Sequence, residues 1–256
     1  RSVNMKKILA FDSDDTIVVS KMAATERMAA LLAEAMRYYD ICIISGTGFD
    51  ETIYPNTVRQ IEQIDGVDLS RLHIMPTCGT RYYRYHDGEW KLQYQEDLTE
   101  EQKSRIFEAI ETSAKQLDMW VANPAGEIIE DRLSQVTYSA LGQQATAADK
   151  YAWAEANLEK RRQLNEAVKA LLPEFEVRTA GTTSLDITKP GVDKAYGMQK
   201  LLEATGCTKE EVLFFGDKLE EGGNDFPVKH MGVDCIAVNR WEDTAYALEG
   251  IIAVSK

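Results

Sequence analysis

Apolar residues along this chain fall into short blocks, each followed by a stretch with helical spacing. The block KKILAFD, residues 6–12, ends in an acidic cluster, which is typical of a buried parallel strand. Residues 22–37 are rich in Ala, Leu, Met and Glu and have apolar positions at helical spacing, so they predict a helix. Residues 38–48, YYDICIISGTG, repeat the pattern of a strand followed by a turn.

The same alternation returns late in the chain. The segment GVDKAYGMQKLLEATG predicts a helix ending at Gly206, and EEVLFFGD predicts a strand ending at Asp217. Residues 235–239, CIAVN, predict a further strand. Because strands alternate with helices, we expect an α/β fold with a doubly wound, Rossmann-like parallel sheet and ligands at the carboxyl ends of its strands.

The pattern changes between these two regions. TRYYRYHDGEWKLQY predicts an antiparallel hairpin around an HDG turn. A helix at TEEQKSRIFEAIETSAKQL, a strand-like stretch at 128–141, a helix near 149–172, and strands at FEVRTA and SLDIT follow. We therefore expect an α+β insertion at 82–187 within a core formed by 1–81 and 188–256.

Composition and charge narrow the class of protein. The 256 residues carry 29 Lys and Arg against 42 Asp and Glu, a formal net charge of -13, which argues against nucleic acid as a partner. The four cysteines lack CxxC spacing, and no apolar stretch approaches the ~20 residues that span a bilayer. We expect a cytoplasmic protein with a small-molecule ligand and no membrane partner; the sequence indicates no particular protein partner.

Polar side chains follow the predicted strands at their ends. FDSDDTI places Asp12 and Asp14 after the first strand, although a DxDxT motif alone fits a capped helix start equally well. Ser45 and Gly46 follow the second strand, where a hydroxyl and a backbone amide can bind phosphate oxygens. Lys194 opens the late helix and could bring a compact positive charge to the same phosphate.

A third strand end adds acidic groups. Asp217 ends FFGD, and the glycine-rich GGND after it carries Asn224 and Asp225. Such hard oxygen ligands suit Mg²⁺, which keeps several waters and needs few protein carboxylates. The sequence therefore predicts a magnesium site for a phosphorylated ligand.

The ordered set DxDxT, strand-terminal Ser, helix-opening Lys and GDxxxxGGND resembles the four motifs of the haloacid dehalogenase superfamily. An α+β insertion between the Ser and Lys motifs resembles the subfamily whose cap lies there, which includes sugar-phosphate phosphatases and eukaryotic-type phosphomannomutases. The resemblance extends over nearly the whole chain.

This resemblance implies roles for individual residues. Asp12 is expected to be a covalent nucleophile, and Asp14 the general acid and base. Ser45, Gly46 and Lys194 are expected to bind phosphate. The expected magnesium ligands are Asp12, the backbone carbonyl of Asp14, and Asp217, with Asp225 orienting a metal-bound water.

The insertion is expected to act as a cap that selects the substrate. By resemblance to phosphomannomutases, Arg132, Ser184 and Asp186 contact the sugar or its distal phosphate, although a surface ion pair explains Arg132 equally well. Lys21 stands roughly where the mutases have an arginine. Gln143 stands where they have a further cap arginine, and Asp15 replaces their usual glycine.

These differences from the phosphomannomutase pattern determine which function we expect first. Fewer cap arginines weaken the hold on a second phosphate, so the first expectation is a magnesium-dependent phosphatase for a small phosphorylated sugar or related metabolite. The alternative is a phosphohexose mutase. A receiver-like phosphoaspartate signalling module fits less well, because the chain is long and has a second carboxylate two residues after the nucleophile.

Overall fold

The computed structural model describes residues 5–256, which divide into two compact units. One unit includes the chain up to Gln95 together with Val192–Lys256, and the other is Glu96–Gly191. The first unit is therefore built from two separate stretches of sequence, with the second unit inserted between them.

The described residues of the first unit form a seven-stranded sheet in the order β11-β10-β1-β2-β3-β4-β5. Neighbours from β11 to β3 pair in parallel, and the β3–β4 and β4–β5 pairs are antiparallel. The strands are β1 (Ile8–Phe11), β2 (Asp40–Ile44), β3 (Leu72–Met75), β4 (Arg81–His86), β5 (Glu89–Gln95), β10 (Val212–Gly216) and β11 (Asp234–Ala237).

Both faces of this sheet are covered. Successive side chains of a strand point to opposite faces, so Leu9 and Phe11 join one buried cluster while Ile8 and Ala10 join the other. The first cluster includes side chains of helices α1 (Glu26–Ala35) and α8 (Trp241–Ser255), and the second those of α6 (Lys194–Thr205) and α7 (Phe226–His230). The doubly wound α/β prediction is confirmed.

The hairpin around the HDG turn forms as predicted but belongs to a different part of the fold. Its turn residues Asp87 and Gly88 both have positive φ, and β4 pairs with β3 through Ile74 and Tyr83. Polar and aromatic composition suggested an insertion, whereas the hydrogen bonds of the hairpin extend the large sheet. The division between units therefore falls at 95/96 and 191/192 rather than at 82 and 187.

Other boundaries also differ from the pattern. The predicted helix at 22–37 begins only after Thr25, whose side chain accepts a hydrogen bond from the Met28 amide and caps α1. A π-helix at Phe49–Val58 leads into α2 (Arg59–Glu62). The sequence patterns did not indicate this π-helix, the strand β3 or the helix α8.

In the second unit, the described residues form a four-stranded antiparallel sheet in the order β6-β7-β9-β8. Its apolar face, with Tyr138 and Leu185, packs against helices through residues such as Ile106 and Leu164. The stretch 128–141 contains two strands, and the predicted helix near 149–172 is two helices. The elements are α3 (Glu100–Gln116), β6 (Ile129–Asp131), β7 (Gln135–Ser139), α4 (Ala147–Ala156), α5 (Leu158–Leu171), β8 (Glu176–Ala180) and β9 (Ser184–Thr188).

Across residues 5–256, the helices are all too short or too polar to pass through a lipid bilayer.

Candidate active site

A buried ion pair lies at the carboxyl end of β1. Asp12 follows the strand directly, and its backbone amide donates to the carbonyl of Phe215 on β10. Lys194, on the first turn of α6, donates from Nζ to Asp12 Oδ1 at 2.5 Å and to Asp225 Oδ1 at 2.6 Å. Burial alone lowers the pKa of an ammonium group, but these two carboxylates raise the pKa of Lys194 on balance.

Three carboxylates converge beside this lysine. One oxygen from each of Asp12, Asp217 and Asp225 lies within 4.8 Å of the others. Burial, followed by a hydrogen bond with Asp12 and the negative charges of Asp12 and Asp225, raises the pKa of Asp217 to about 8. Carboxylates this close favour a cation between them, and an all-oxygen donor set at the end of a parallel strand fits Mg²⁺.

Asp225 is the most deeply buried of the three carboxylates. Its side chain is fully buried, and its Oδ2 accepts a hydrogen bond from the Lys218 amide at 3.1 Å. A Cβ atom on Gly216 would lie 2.5 Å from the same Oδ2. Glycine is therefore required before Asp217 if Asp225 is to approach the backbone so closely.

Ser45 and Gly46 lie at the carboxyl end of β2, the strand beside β1. The Ser45 backbone amide donates to the Met75 carbonyl, and its hydroxyl is 2.8 Å from the Thr47 hydroxyl. The Thr47 amide also donates to Ser45 Oγ at 3.2 Å. These contacts fix the orientation of the serine hydroxyl, as a phosphate-binding group requires.

Asp14 and Lys21 lie on the loop that follows Asp12. The Lys21 amide donates to Asp14 Oδ1 at 3.3 Å, while the Lys21 side chain is exposed. Asp15 has a φ of 60°, in the left-handed region that favours glycine. Glycine would adopt this backbone conformation without strain.

Two hydroxyl groups were missed as candidate functional residues. Thr16 is fully buried and donates from Oγ1 to Asp12 Oδ2 at 3.4 Å. Thr47 contacts the Ser45 hydroxyl, as described above. The signal for Thr16 was the last letter of DxDxT, whereas Thr47 had none beyond its place in the SGTG turn.

Of the cap candidates, Ser184 and Asp186 lie on β9 and Arg132 lies in the connection between β6 and β7. Asp186 on β9 is opposite Thr137 on β7, whose hydroxyl donates to Asp186 Oδ1 at 2.8 Å. Burial raises the pKa of Asp186, and the positive charge of Arg132 opposes that rise. Arg132 itself pairs with Glu130 at 3.0 Å.

Ser184 pairs with Ser139 of β7, and Gln143 follows the end of that strand. The Ser184 carbonyl accepts a hydrogen bond from Arg161 at 3.2 Å. The Gln143 amide nitrogen lies 3.5 Å from the Thr137 carbonyl oxygen. The charges of Arg132 and Asp186 interact within this unit. Gln143 adds a neutral amide to the same unit.

A doubly wound sheet with a strand-end aspartate, a buried helix-opening lysine and further aspartates at a third strand end is the arrangement of the haloacid dehalogenase superfamily. Sequence comparison narrows this assignment, because residues 28–254 match the family described as eukaryotic phosphomannomutase. The chain belongs to that family.

Individual relatives agree with this assignment. A phosphomannomutase of Encephalitozoon cuniculi is 26% identical over 247 residues, covering 93% of this chain and 91% of the relative. Human phosphomannomutase 1 is 25% identical over 224 residues, covering 85% of this chain and 81% of the relative.

Solved structures share the fold at lower identity. A haloacid dehalogenase-like hydrolase from Bacteroides thetaiotaomicron superposes with a TM-score of 0.63 at 18% identity, covering 96% of this chain and 99% of the other. An IMP-bound IMP-nucleotidase of Plasmodium falciparum superposes with a TM-score of 0.68 at 14% identity, covering 97% and 68%. At such identities the likeness describes architecture alone.

Proposed function

We propose that this enzyme transfers a phosphoryl group to and from a hexose phosphate through Asp12, as a phosphohexose mutase. The observation that carries the proposal is the buried Asp12 carboxylate, hydrogen-bonded to Lys194, in a chain whose family is that of the eukaryotic phosphomannomutases. The sequence patterns had ranked hydrolysis first, but the names of the relatives favour the mutase alternative.

In the proposed reaction, a carboxylate oxygen of Asp12 forms a bond to phosphorus while the bond between phosphorus and the sugar oxygen breaks. Asp14 gives its proton to the departing oxygen. A hexose bisphosphate phosphorylates Asp12 in this way at the start. In the reverse step Asp14 removes a proton from the free hydroxyl of a hexose monophosphate, which takes the phosphoryl group from Asp12. The bisphosphate so formed turns round and returns its other phosphoryl group to Asp12. The net result is isomerisation with Asp12 and Asp14 restored.

The remaining strand-end groups bind and orient the phosphate. The Ser45 hydroxyl, the Gly46 amide and the Lys194 ammonium group are suited to the equatorial oxygens of the phosphoryl group, where negative charge develops. Lys194 also draws Asp12 into a fixed position before attack. Preorganised donors of this kind need no rearrangement during the reaction.

Magnesium is the cofactor that we assign to this site. Asp12, Asp217 and the backbone carbonyl of Asp14 would hold it, with Asp225 adjacent. When bound, the ion neutralises negative charge between carboxylate and phosphate and so permits their approach.

We assign the choice of sugar to the unit Glu96–Gly191, with Arg132, Ser184 and Asp186 as its contact residues. Lys21, on the loop after Asp12, is a further candidate.

Hydrolysis of the same substrate is the second candidate. It is favoured by the neutral Gln143, which by the resemblance described above stands at a place comparable to a cap arginine of phosphomannomutases. The guanidinium of Arg132 is already paired with Glu130, so the electrostatic hold on a second phosphate is reduced further.

Phosphorus NMR distinguishes these functions. The enzyme with Mg²⁺ is incubated with mannose 1-phosphate or mannose 6-phosphate, with and without a hexose bisphosphate. We expect exchange between the two isomers that depends on the bisphosphate; free phosphate as the dominant product would favour hydrolysis.

Asp12→Asn should abolish either reaction without unfolding the protein, because it replaces an attacking oxygen with an amide of equal size. Asp65→Asn, at an exposed position, is the matched control. Full activity in the Asp12 variant would refute the mechanism.

A further inference from the structure

A left-handed turn follows β3 and touches both phosphate-binding elements. Thr77, Cys78 and Gly79, here called the 77–79 turn, have consecutive φ values of 47°, 57° and 82°. Such values are rare for residues with a side chain, above all for β-branched threonine. Thr77 and Cys78 can keep this conformation only where the surrounding contacts enforce it, whereas Gly79 adopts it freely.

Hydrogen bonds connect this turn to the serine loop. The Cys78 amide donates to the Ser45 carbonyl at 2.8 Å, and the Thr77 amide donates to the Thr47 carbonyl at 3.0 Å. The left-handed backbone is what presents both amides to the loop. The position of the Ser45 hydroxyl and Gly46 amide therefore depends on the conformation of the turn.

The other side of the turn lies directly against helix α6. A Cβ atom on Gly79 would come within 2.6 Å of Gly197 Cα. Conversely, a Cβ on Gly197 would come within 2.6 Å of the Cys78 carbonyl oxygen and 2.4 Å of Ile44 Cδ1. Helix and turn thus meet backbone to backbone, and only glycines permit that distance.

Gly197 lies three residues after Lys194 on the same helix. The Gly197 amide donates to the Asp193 carbonyl, and Asp193 caps the helix through the Tyr196 amide. A helix is a rigid element, so the distance between Gly197 and the turn determines how far the Lys194 side chain extends into the site.

We propose that the 77–79 turn and Gly197 are positioning residues that set the distance between the Ser45 loop and the Lys194 ammonium group. The turn is the shared support of two phosphate-binding elements that come from strand β2 and helix α6. Gly197 acts through Lys194 and does not itself contact the substrate. This inference rests on the proposed phosphoryl-transfer function.

Gly197→Ala is the decisive variant. Alanine is a better helix former than glycine, so helix propensity alone would strengthen α6. Any loss must come from the contacts that the added Cβ makes with the turn and with the flexible end of the Ile44 side chain. The control is Gly206→Ala at the far end of the same helix, where a φ of 69° makes alanine unfavourable but no atom lies within 4 Å of the added Cβ.

The measurements are kcat and the inhibition constant of inorganic phosphate with Mg²⁺, beside the melting temperature. We expect Gly197→Ala to lower kcat at least tenfold and weaken phosphate inhibition at least tenfold. Gly206→Ala should lower the melting temperature and leave both values within about twofold. The double variant Gly197→Ala/Lys194→Met should lose no more in kcat or in phosphate inhibition than Lys194→Met alone, because Gly197 acts through the lysine.

Tyr94→Phe provides a test that does not crowd the helix. The Tyr94 hydroxyl donates to the Gly79 carbonyl at 2.7 Å, and phenylalanine keeps the ring that contacts Lys200 and Tyr82. We expect a several-fold weakening of phosphate inhibition with a folded protein. This variant decides the question if Gly197→Ala does not fold.

Two results would overturn the inference while leaving the proposed function intact: wild-type kcat and phosphate inhibition in both Gly197→Ala and Tyr94→Phe, or additive losses in the double variant. If the unmodified enzyme shows neither phosphoryl transfer nor inhibition by phosphate, the proposed function is wrong, and this inference falls with it.

Discussion

Lys194 and Asp12 lie 182 positions apart in the sequence, yet the lysine Nζ lies 2.5 Å from Asp12 Oδ1 and both side chains are almost fully buried. The same Nζ contacts Asp225 at 2.6 Å. One ammonium group thus offsets two buried carboxylates, and a third, on Asp217, lies beside them.

Lys194→Met should therefore be strongly destabilising, because it leaves these buried carboxylates without their cation. Removing one partner of a buried ion pair costs about 3–5 kcal/mol. Urea unfolding in the presence of EDTA measures this loss, and kcat should fall by about a thousandfold or more. Lys169→Met, at an exposed position of α5, should change neither quantity appreciably; a Lys194 variant as stable as this control would contradict the electrostatic account.

Metal removal should stop the reaction. EDTA is expected to abolish activity, and Mg²⁺ should restore it better than Ca²⁺, whose larger and looser coordination shell suits the site less well. Because the ion binds the folded state, Mg²⁺ at a hundred times its dissociation constant should add about 2.7 kcal/mol of stability. The melting temperature with and without Mg²⁺ measures this stabilisation. Asp217→Asn should greatly reduce the increase in melting temperature that Mg²⁺ causes, and Asp65→Asn should keep it. Undiminished activity in EDTA would exclude the metal assignment.

Asp15→Gly should stabilise the protein by about 0.5–1 kcal/mol. The φ of 60° at this exposed position is strained for aspartate and relaxed for glycine. The Asp15 amide, which donates to the Val18 carbonyl, is retained. Urea midpoints measure the effect, with Asp15→Ala as the comparison that keeps the strain; a less stable glycine variant would show that the aspartate side chain outweighs the backbone term.

The stability of the first unit should fall on acidification through His73. This side chain is buried, with Nε2 2.8 Å from Asp40 Oδ2 and Nδ1 2.6 Å from the Tyr82 hydroxyl. Burial, aided by the positive charge of Arg84, lowers the pKa of His73 despite the opposing effect of Asp40. At mildly acidic pH, His73 therefore binds a proton more readily in the unfolded chain than in the folded protein.

The stabilisation that depends on neutral His73 should thus be fully present above pH about 6.5, the ordinary pKa of histidine. It should decline as the pH falls toward the lower pKa that His73 has in the folded protein. Each tenfold difference in proton affinity is worth about 1.4 kcal/mol. The pKa of Asp40 is also lowered, because bonds from His73 and Arg71 outweigh its burial, so a further decline follows below about pH 4. Urea unfolding from pH 8 to 5 tests the first step: His73→Gln should flatten it, and His86→Gln, an exposed histidine, should not.

Gln143→Arg should shift the product ratio from free phosphate toward isomerised sugar phosphate. A guanidinium binds phosphate through two parallel hydrogen bonds, so it should retain a bisphosphate that a neutral amide releases. The phosphorus NMR assay gives the ratio directly. Gln144→Arg, one residue further and exposed, is the matched control; equal shifts in both variants would show that charge alone, and not position, decides the outcome.

The sequence was sufficient for the parts of the fold that depend on strand ends. Asp12, Ser45 and Lys194 were predicted because each follows an apolar block or opens a helix, and parallel strands bring such ends together. The hairpin β4–β5 was recognised, but its membership of the large sheet depends on long-range hydrogen bonds that composition does not encode. The 77–79 turn could not be predicted from the sequence, because Thr77 and Cys78 adopt a left-handed backbone conformation that their residue types do not favour.

The split of the first unit into two stretches has a consequence for synthesis on the ribosome. Strand β1 is flanked by β2 and β10, so it lacks one neighbour until residues from Val212 onward emerge. Until then it presents an apolar, unpaired edge, which is the kind of edge that pairs wrongly with other nascent chains. Asp12 is thus made well before Lys194, Asp217 and Asp225, so the cluster that it forms with them can assemble only after residue 225 has emerged from the ribosome.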